Sequence, residues 1–186
     1  MCYFITIVLD SRLDASRIAV AKPLSPWPYT NPNLVAQLSA HDALYCAMKG
    51  SCHCGTVLAS AHQRQASGAR YEEKTNKKLT ELRRKGWSEH KIQRWLEQRE
   101  SQAERMRHDP AAYDAKPEVS AWLSLPQAVH AAGGREFGVL LHFYAADVEN
   151  ENFLVKRSQN VSLGEWNQKF LTETEENVLY RVDVRK

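Results

Sequence analysis

Three of the four cysteines in this chain fall within nine residues, inside YCAMKGSCHCG at 45–55. Thiolates are soft metal ligands and good nucleophiles, so this is the first place to look for chemistry. Cys52-His53-Cys54-Gly55 ends in a glycine, as tight zinc knuckles often do, but has one residue between the cysteines rather than the usual two. Cys46 is the nearest third sulfur. Cys2, His41, His53 and His62 are the remaining donors, and none stands in a recognisable pair spacing. Three readings follow. The stretch is a turn of packed thiols, since free cysteine is among the most buried residue types. Or it is a zinc site built on Cys52, Cys54 and Cys46. Or it is a reactive thiol pair with Lys49 and His53 as basic neighbours. The expected reading is the packed turn, reduced and without a cofactor, ordered by backbone hydrogen bonds and Gly55. Zinc is the alternative.

Cys52 or Cys54 with His142 would make a thiol–imidazole couple if the fold brought them together. His142 lies in GVLLHFYA, where an imidazole is expected to be packed and hydrogen-bonded rather than to act as a base. The sequence holds no Ser/His/Asp signature, glycine-rich phosphate loop, HExxH or paired-acid motif. KKLTELRRKGW at 77–87 is a second candidate, with Lys77, Lys78, Arg83, Arg84 and Lys85 beside Trp87. Cations with a stacking aromatic suit nucleic acid. Against that, Glu72, Glu73, Glu81, Glu89, Glu97, Glu100 and Glu104 interleave, as they do where a solvated hairpin makes i,i+4 pairs. Arg and Trp are enriched at protein interfaces. A protein partner meeting Arg83, Arg84, Lys85, Trp87 and Arg94 is therefore expected ahead of nucleic acid.

The elements that position these residues can be predicted from pattern. CYFITIVL (2–9) is β-branched and aromatic and too short for a helix, so it predicts a buried strand. KPLSPWPYTNPN (22–33) carries four prolines and predicts a loop. Asn33 is expected to cap a short helix from Leu34, with Leu34, Val35 and Leu38 inward. LYCAM and TVLAS either flank the cysteine turn as a hairpin, or a helix runs through Met48. The clearest segment is 69–108. Tyr71, Leu79 and Leu82 recur at helical spacing up to Gly86. Ser88 caps a second helix, with Ile92, Trp95, Leu96, Ala103 and Met106 on one face and Pro110 closing it. SLPQAVHAAGG (124–134) predicts a short helix capped by Ser124. EFGVLLHFYA and NFLVKR predict a hairpin of strands, and SLGEWNQKFL a helix with Ser162 and Glu165 as its capping box. The alternation in NVLYRVDV predicts a half-exposed edge strand.

That order predicts a single α+β domain over 1–186, with a small, largely antiparallel sheet and a protruding charged helical hairpin at 69–108 as a subdomain. At 186 residues and 43% hydrophobic composition, the chain is long enough to bury a core without staples. The formal charge of +3 divides into +1 over residues 1–63, +6 over 64–108 and −4 over 109–186. A basic middle points to an acidic partner. The cysteines are unevenly spaced, and CYFITIVL is too short for a spanning helix and lacks a cationic lead. Reduced thiols and the cytoplasm are expected, with no membrane involvement. These features predict a small cytoplasmic protein-binding protein, a bacterial accessory or toxin-neutralising (immunity) factor rather than an enzyme. The alternative is a zinc- or cysteine-dependent enzyme centred on Cys52-His53-Cys54. A nucleic-acid-binding module comes third.

Overall fold

The computed structural model describes residues 2–49, 52–59, 75–107, 116–145 and 147–185, with side chains described outside 99–107 and 116. The chain is mixed α+β and divides into two compact units, Met1–Ala61 with Ala115–Lys186, and His62–Asp114.

The first unit is built on an open six-stranded sheet. Its strands are β1 (Cys2–Asp10), β2 (Trp27–Pro28), β3 (Asp42–Cys46), β4 (Glu136–Tyr144), β5 (Arg157–Val161) and β6 (Val178–Asp183), in the order β2-β3-β1-β4-β6-β5. All neighbours are antiparallel except β5 and β6. Apolar side chains leave both faces of β1 because both faces are covered. Tyr3, Ile5, Ile7 and Leu9 join Val139, Leu141, Tyr180 and Val182 under the helix α4 (Lys116–Ala131), which contributes Trp122, Leu125 and Val129. Phe4 and Val8 join Leu140, Leu179, Tyr144 and Phe153 on the other face. Gly138 is the tight point of the sheet. A Cβ there would stand 2.9 Å from Leu179 Cδ1 and 3.1 Å from Val8 Cβ, closer than side chains pack. Among the described residues no helix is long and apolar enough to cross a membrane.

Several elements depart from expectation for identifiable reasons. The proline-rich stretch does hold a two-residue edge strand, β2, because Trp27 and Pro28 need only one bonded side to pair with Cys46 and Tyr45. The short helix α1 (Pro32–Val35) is capped by Asn31, not Asn33. The Asn31 side chain accepts from Leu34 N–H at 2.9 Å, and Pro32 takes the first helical position, where its missing donor costs nothing. Leu34 is buried, but Val35 is exposed. Helix α4 begins at Lys116, well before Ser124, and runs through Pro126. Burial of Val119, Ala121, Trp122 and Leu125 outweighs the lost hydrogen bond. Ser162 and Glu165 do bond each other, but they form a turn. Helix α5 (Gln168–Glu173) starts later and is capped by Asn167. NFLVKR does not pair back on β4. β6 takes that place and is interior, with β5 beyond it. Arg181, read as solvent-facing, is instead held by Asp42 at 2.5 Å and Glu136 at 2.9 Å.

The second unit contains helix α2, described over 75–84, and helix α3 (Glu89–Arg107). Their junction is a Schellman turn. Gly86 N–H donates to Arg83 O and Trp87 N–H to Leu82 O, with Gly86 at φ +73°. Ile92 N–H then donates to Ser88 O and starts α3. Leu82 and Ile92 are buried, as their spacing predicts. Tyr71 and the 69–74 and 108 ends of the predicted hairpin lie outside the described residues, as do the side chains of Ala103 and Met106.

Candidate metal centre

The geometry of the cysteine stretch follows from a mismatch in strand length. β3 pairs with β1 only from Thr6 onward, where Cys46 faces Thr6, so the first half of β1 lacks a strand on that side. The chain leaving β3 fills the gap. Ala47 N–H donates to Ile5 O at 3.1 Å, and His53 N–H donates to Tyr3 O at 2.9 Å. Side chains satisfy the two amides that remain. Ile5 N–H donates to His53 Nδ1 at 2.9 Å, and Tyr3 N–H donates to Cys54 Sγ at 3.3 Å. The segment 52–54 thus stands in for a missing strand. Thr56 then bonds back to His53 O and caps a helical turn at 57–59, whose Val57 N–H is held by the buried Glu118 carboxylate. Neither alternative for LYCAM and TVLAS, a hairpin or a helix through Met48, is found, since β3 ends at Cys46, residues 47–49 bend, and the chain turns helical at 57–59.

This arrangement puts Cys2, at the start of β1, beside the loop. The Sγ atoms of Cys2, Cys52 and Cys54 all lie within 4.8 Å of one another. In a tetrahedral zinc site with bonds of about 2.3 Å, sulfurs sit about 3.8 Å apart, so side-chain rotation by roughly an ångström closes the set. Cys52 is exposed and the other two are half-buried. Cys54 N–H also donates to Cys52 Sγ at 3.4 Å. A hydrogen bond from the Cys54 thiol lowers the Cys52 pKa. Burial, then the same shared proton, pushes Cys54 up to about 11. Cys52 and Cys54 therefore share one proton between them.

Cys46 is not part of it, which corrects the predicted ligand set. It is fully buried, donates its thiol to Met48 O at 2.8 Å, and has its pKa raised by burial. His53 is not a ligand either. Because Nδ1 accepts from Ile5, the ring hydrogen sits on Nε2, 3.3 Å from Met48 O and 3.7 Å from Cys46 Sγ. The ring is 2% exposed, stacks on Phe4 at 4.8 Å, and has its pKa lowered by burial. Gly55 has open space around it and no positive φ, so glycine is not required there. The amides that address sulfur belong to Cys54 and Tyr3. Cys2 was the sulfur that sequence alone could not place, because only the β1 register brings it within reach.

His142 does not pair with a thiol. Its Nδ1 bonds Asn177 Oδ1, its Nε2 stands 3.5 Å from Glu151 Oε1, and its ring stacks on Phe153 at 3.6 Å. The predicted partner residues of the second unit are in part already engaged. Arg83 pairs with Glu89 at 3.1 Å and Lys85 with Glu81 at 2.5 Å. Trp87 lies under Lys91 Nζ, 4.4 Å from the ring centre. Arg84 and Arg94 are exposed. Trp87, His90, Lys91, Arg94, Trp95 and Gln98 line a cleft of about 500 Å³.

No protein-family model, curated protein or solved structure matches this chain.

Proposed function

We propose that this is a metal-binding protein whose centre is the thiolate set Cys2, Cys52 and Cys54. The observation that carries the reading is the convergence of three sulfurs from two separate segments, with the intervening His53 turned away. Soft thiolates select zinc and monovalent copper among common ions, and zinc takes three protein ligands where its fourth position is left to another donor. The test is metal content of the full, untagged chain after zinc loading and desalting. About one zinc per chain is expected, lost when Cys2, Cys52 and Cys54 are changed together to serine and kept in Cys46→Ser. Equal retention by the triple variant overturns the reading.

A second reading concerns the hairpin unit. The cleft that joins Trp87 and Trp95 to His90, Lys91 and Arg94 supports docking of another protein with an acidic surface. Residues 64–108 carry +6, the right sign for such a partner. An immunity or accessory factor would use this surface. Capture of partners from the source cell by wild type but not by Trp87→Ala/Arg94→Glu, with binding that weakens in salt, tests it. Identical partner sets from the two proteins exclude the cleft.

A further inference from the structure

Three thiols in mutual reach can also surrender two electrons. Cys52, the exposed member, is the sulfur an oxidant in solution meets first, while Cys2 and Cys54 lie half-buried within 4.8 Å of it. Cys46, though near in sequence, is buried and committed to Met48 O. We propose that the cluster is a peroxide-oxidised dithiol site, with Cys52 as the sulfur that attacks the oxidant and Cys2 or Cys54 as the resolving one. The proposal rests on the assignment of these three sulfurs to one centre, and it adds a regulation to that centre.

The chemistry balances with a hydroperoxide as oxidant. The Cys52 sulfur attacks the peroxide, the O–O bond breaks, and Cys52 becomes a sulfenic acid as the peroxide leaves as alcohol or water. A neighbouring thiol then attacks the sulfenic sulfur. The S–O bond breaks, an S–S bond forms, and water leaves with the thiol proton. Two cysteines are each oxidised by one electron and one peroxide is reduced by two. A reducing thiol reverses the step by exchange.

The arithmetic of three sulfurs gives this a consequence. One disulfide consumes two of them and leaves one, too few for an ion that needs about three protein ligands. Oxidation therefore ejects the metal wherever the centre is loaded. Cys46 cannot replace the lost ligand, because its sulfur points to Met48 O on the buried side of the loop.

The test uses the full chain, zinc-loaded and also reduced and metal-free, treated with an equivalent of hydrogen peroxide. Intact mass, disulfide mapping by peptide mass spectrometry, and zinc released to a chromogenic chelator are measured. The expected product is two hydrogens lighter, with Cys52 in an intrachain disulfide, Cys46 still open to alkylation after unfolding, and full reversal by dithiothreitol. From the loaded chain, one zinc should leave per disulfide formed. Cys46→Ser should react as wild type does, and Cys52→Ser should slow disulfide formation by at least about tenfold. A chain that holds zinc but oxidises at Cys46, or takes Cys52 to sulfinic acid without a disulfide, overturns the inference and leaves the metal centre standing. A chain that takes up no zinc yet forms the Cys52 disulfide supports the inference and removes the metal reading.

Discussion

His53 and Ile5, 48 positions apart, share a buried bond in which the imidazole Nδ1 accepts the Ile5 amide proton at 2.9 Å. The bond explains why a histidine flanked by two cysteines is not a ligand. It completes the backbone of β1 where β3 has ended. A protonated ring would set two N–H groups against each other, and burial already lowers its pKa. The contribution of His53 to stability should be level above about pH 6.5, where the unfolded imidazole is neutral too, and should fall as pH drops below it. The sign follows because the unfolded chain takes up a proton that the folded chain resists. His53→Gln keeps an acceptor near Ile5 and removes the titration. Its melting temperature should lose less than wild type's between pH 7 and pH 5, and zinc content should be unchanged. Parallel melting curves across that range would show that His53 does not titrate against folding.

Glu118 ties α4 to the loop. Its two oxygens each accept from Val57 N–H at 3.1 Å, and one also accepts from Trp122 Nε1 at 3.1 Å, all at 1% exposure. Truncation takes away the carboxylate that accepts from both the Val57 amide and the Trp122 indole N–H. Glu118→Ala should cost about 2–5 kcal/mol, and Glu118→Gln distinctly less because one oxygen remains. Urea unfolding monitored by tryptophan fluorescence measures both, and equal losses would show that the acceptor atoms contribute nothing.

Much of this fold was legible wherever one segment carries its own signal. β1 shows as a run of β-branched and aromatic residues, and the α2–α3 turn as Gly86 followed by Ser88. What escaped depends on pairs of segments. Arg181 and Asp183 read as an outward face, and only the tertiary partners Asp42 and Glu136 allow Arg181 to be largely covered. Pro126 reads as a helix start, until the burial of Trp122 carries the helix through it. The metal centre divides the same way. The Cys52–Cys54 pair is visible locally, but choosing Cys2 over Cys46 requires the β1–β3 register, which stops at Thr6.

Gly86 sits at φ +73° with nothing within 4 Å of where a Cβ would be, so substitution meets conformational cost without a clash. Gly86→Ala should destabilise the hairpin unit by about 1 kcal/mol, with Gly86→Val costing more and Gly86→Asn less. Far-UV circular dichroism melts rank the three, and an unchanged melt for the valine variant would mean the turn does not need positive φ.

The proton chemistry of the thiol cluster sets how tightly it holds an ion at different pH. Cys54 keeps its proton up to about 11, while its hydrogen bond to Cys52 lowers that neighbour. A metal must have thiolates, so loading near neutral pH displaces at least the proton on Cys54. Falling pH then favours the thiols over the ion, and rising pH favours the ion. Apparent zinc affinity should climb about tenfold per pH unit for each proton displaced, hence at least that steeply between pH 6 and pH 8. Competition with a chromogenic chelator, corrected for the chelator's own protonation, gives the slope. Cys54→Ser removes both a ligand and that proton, so its residual binding should be weaker and its pH slope shallower. A wild-type affinity that stays flat across this range would mean that the ion is held by groups other than these thiols.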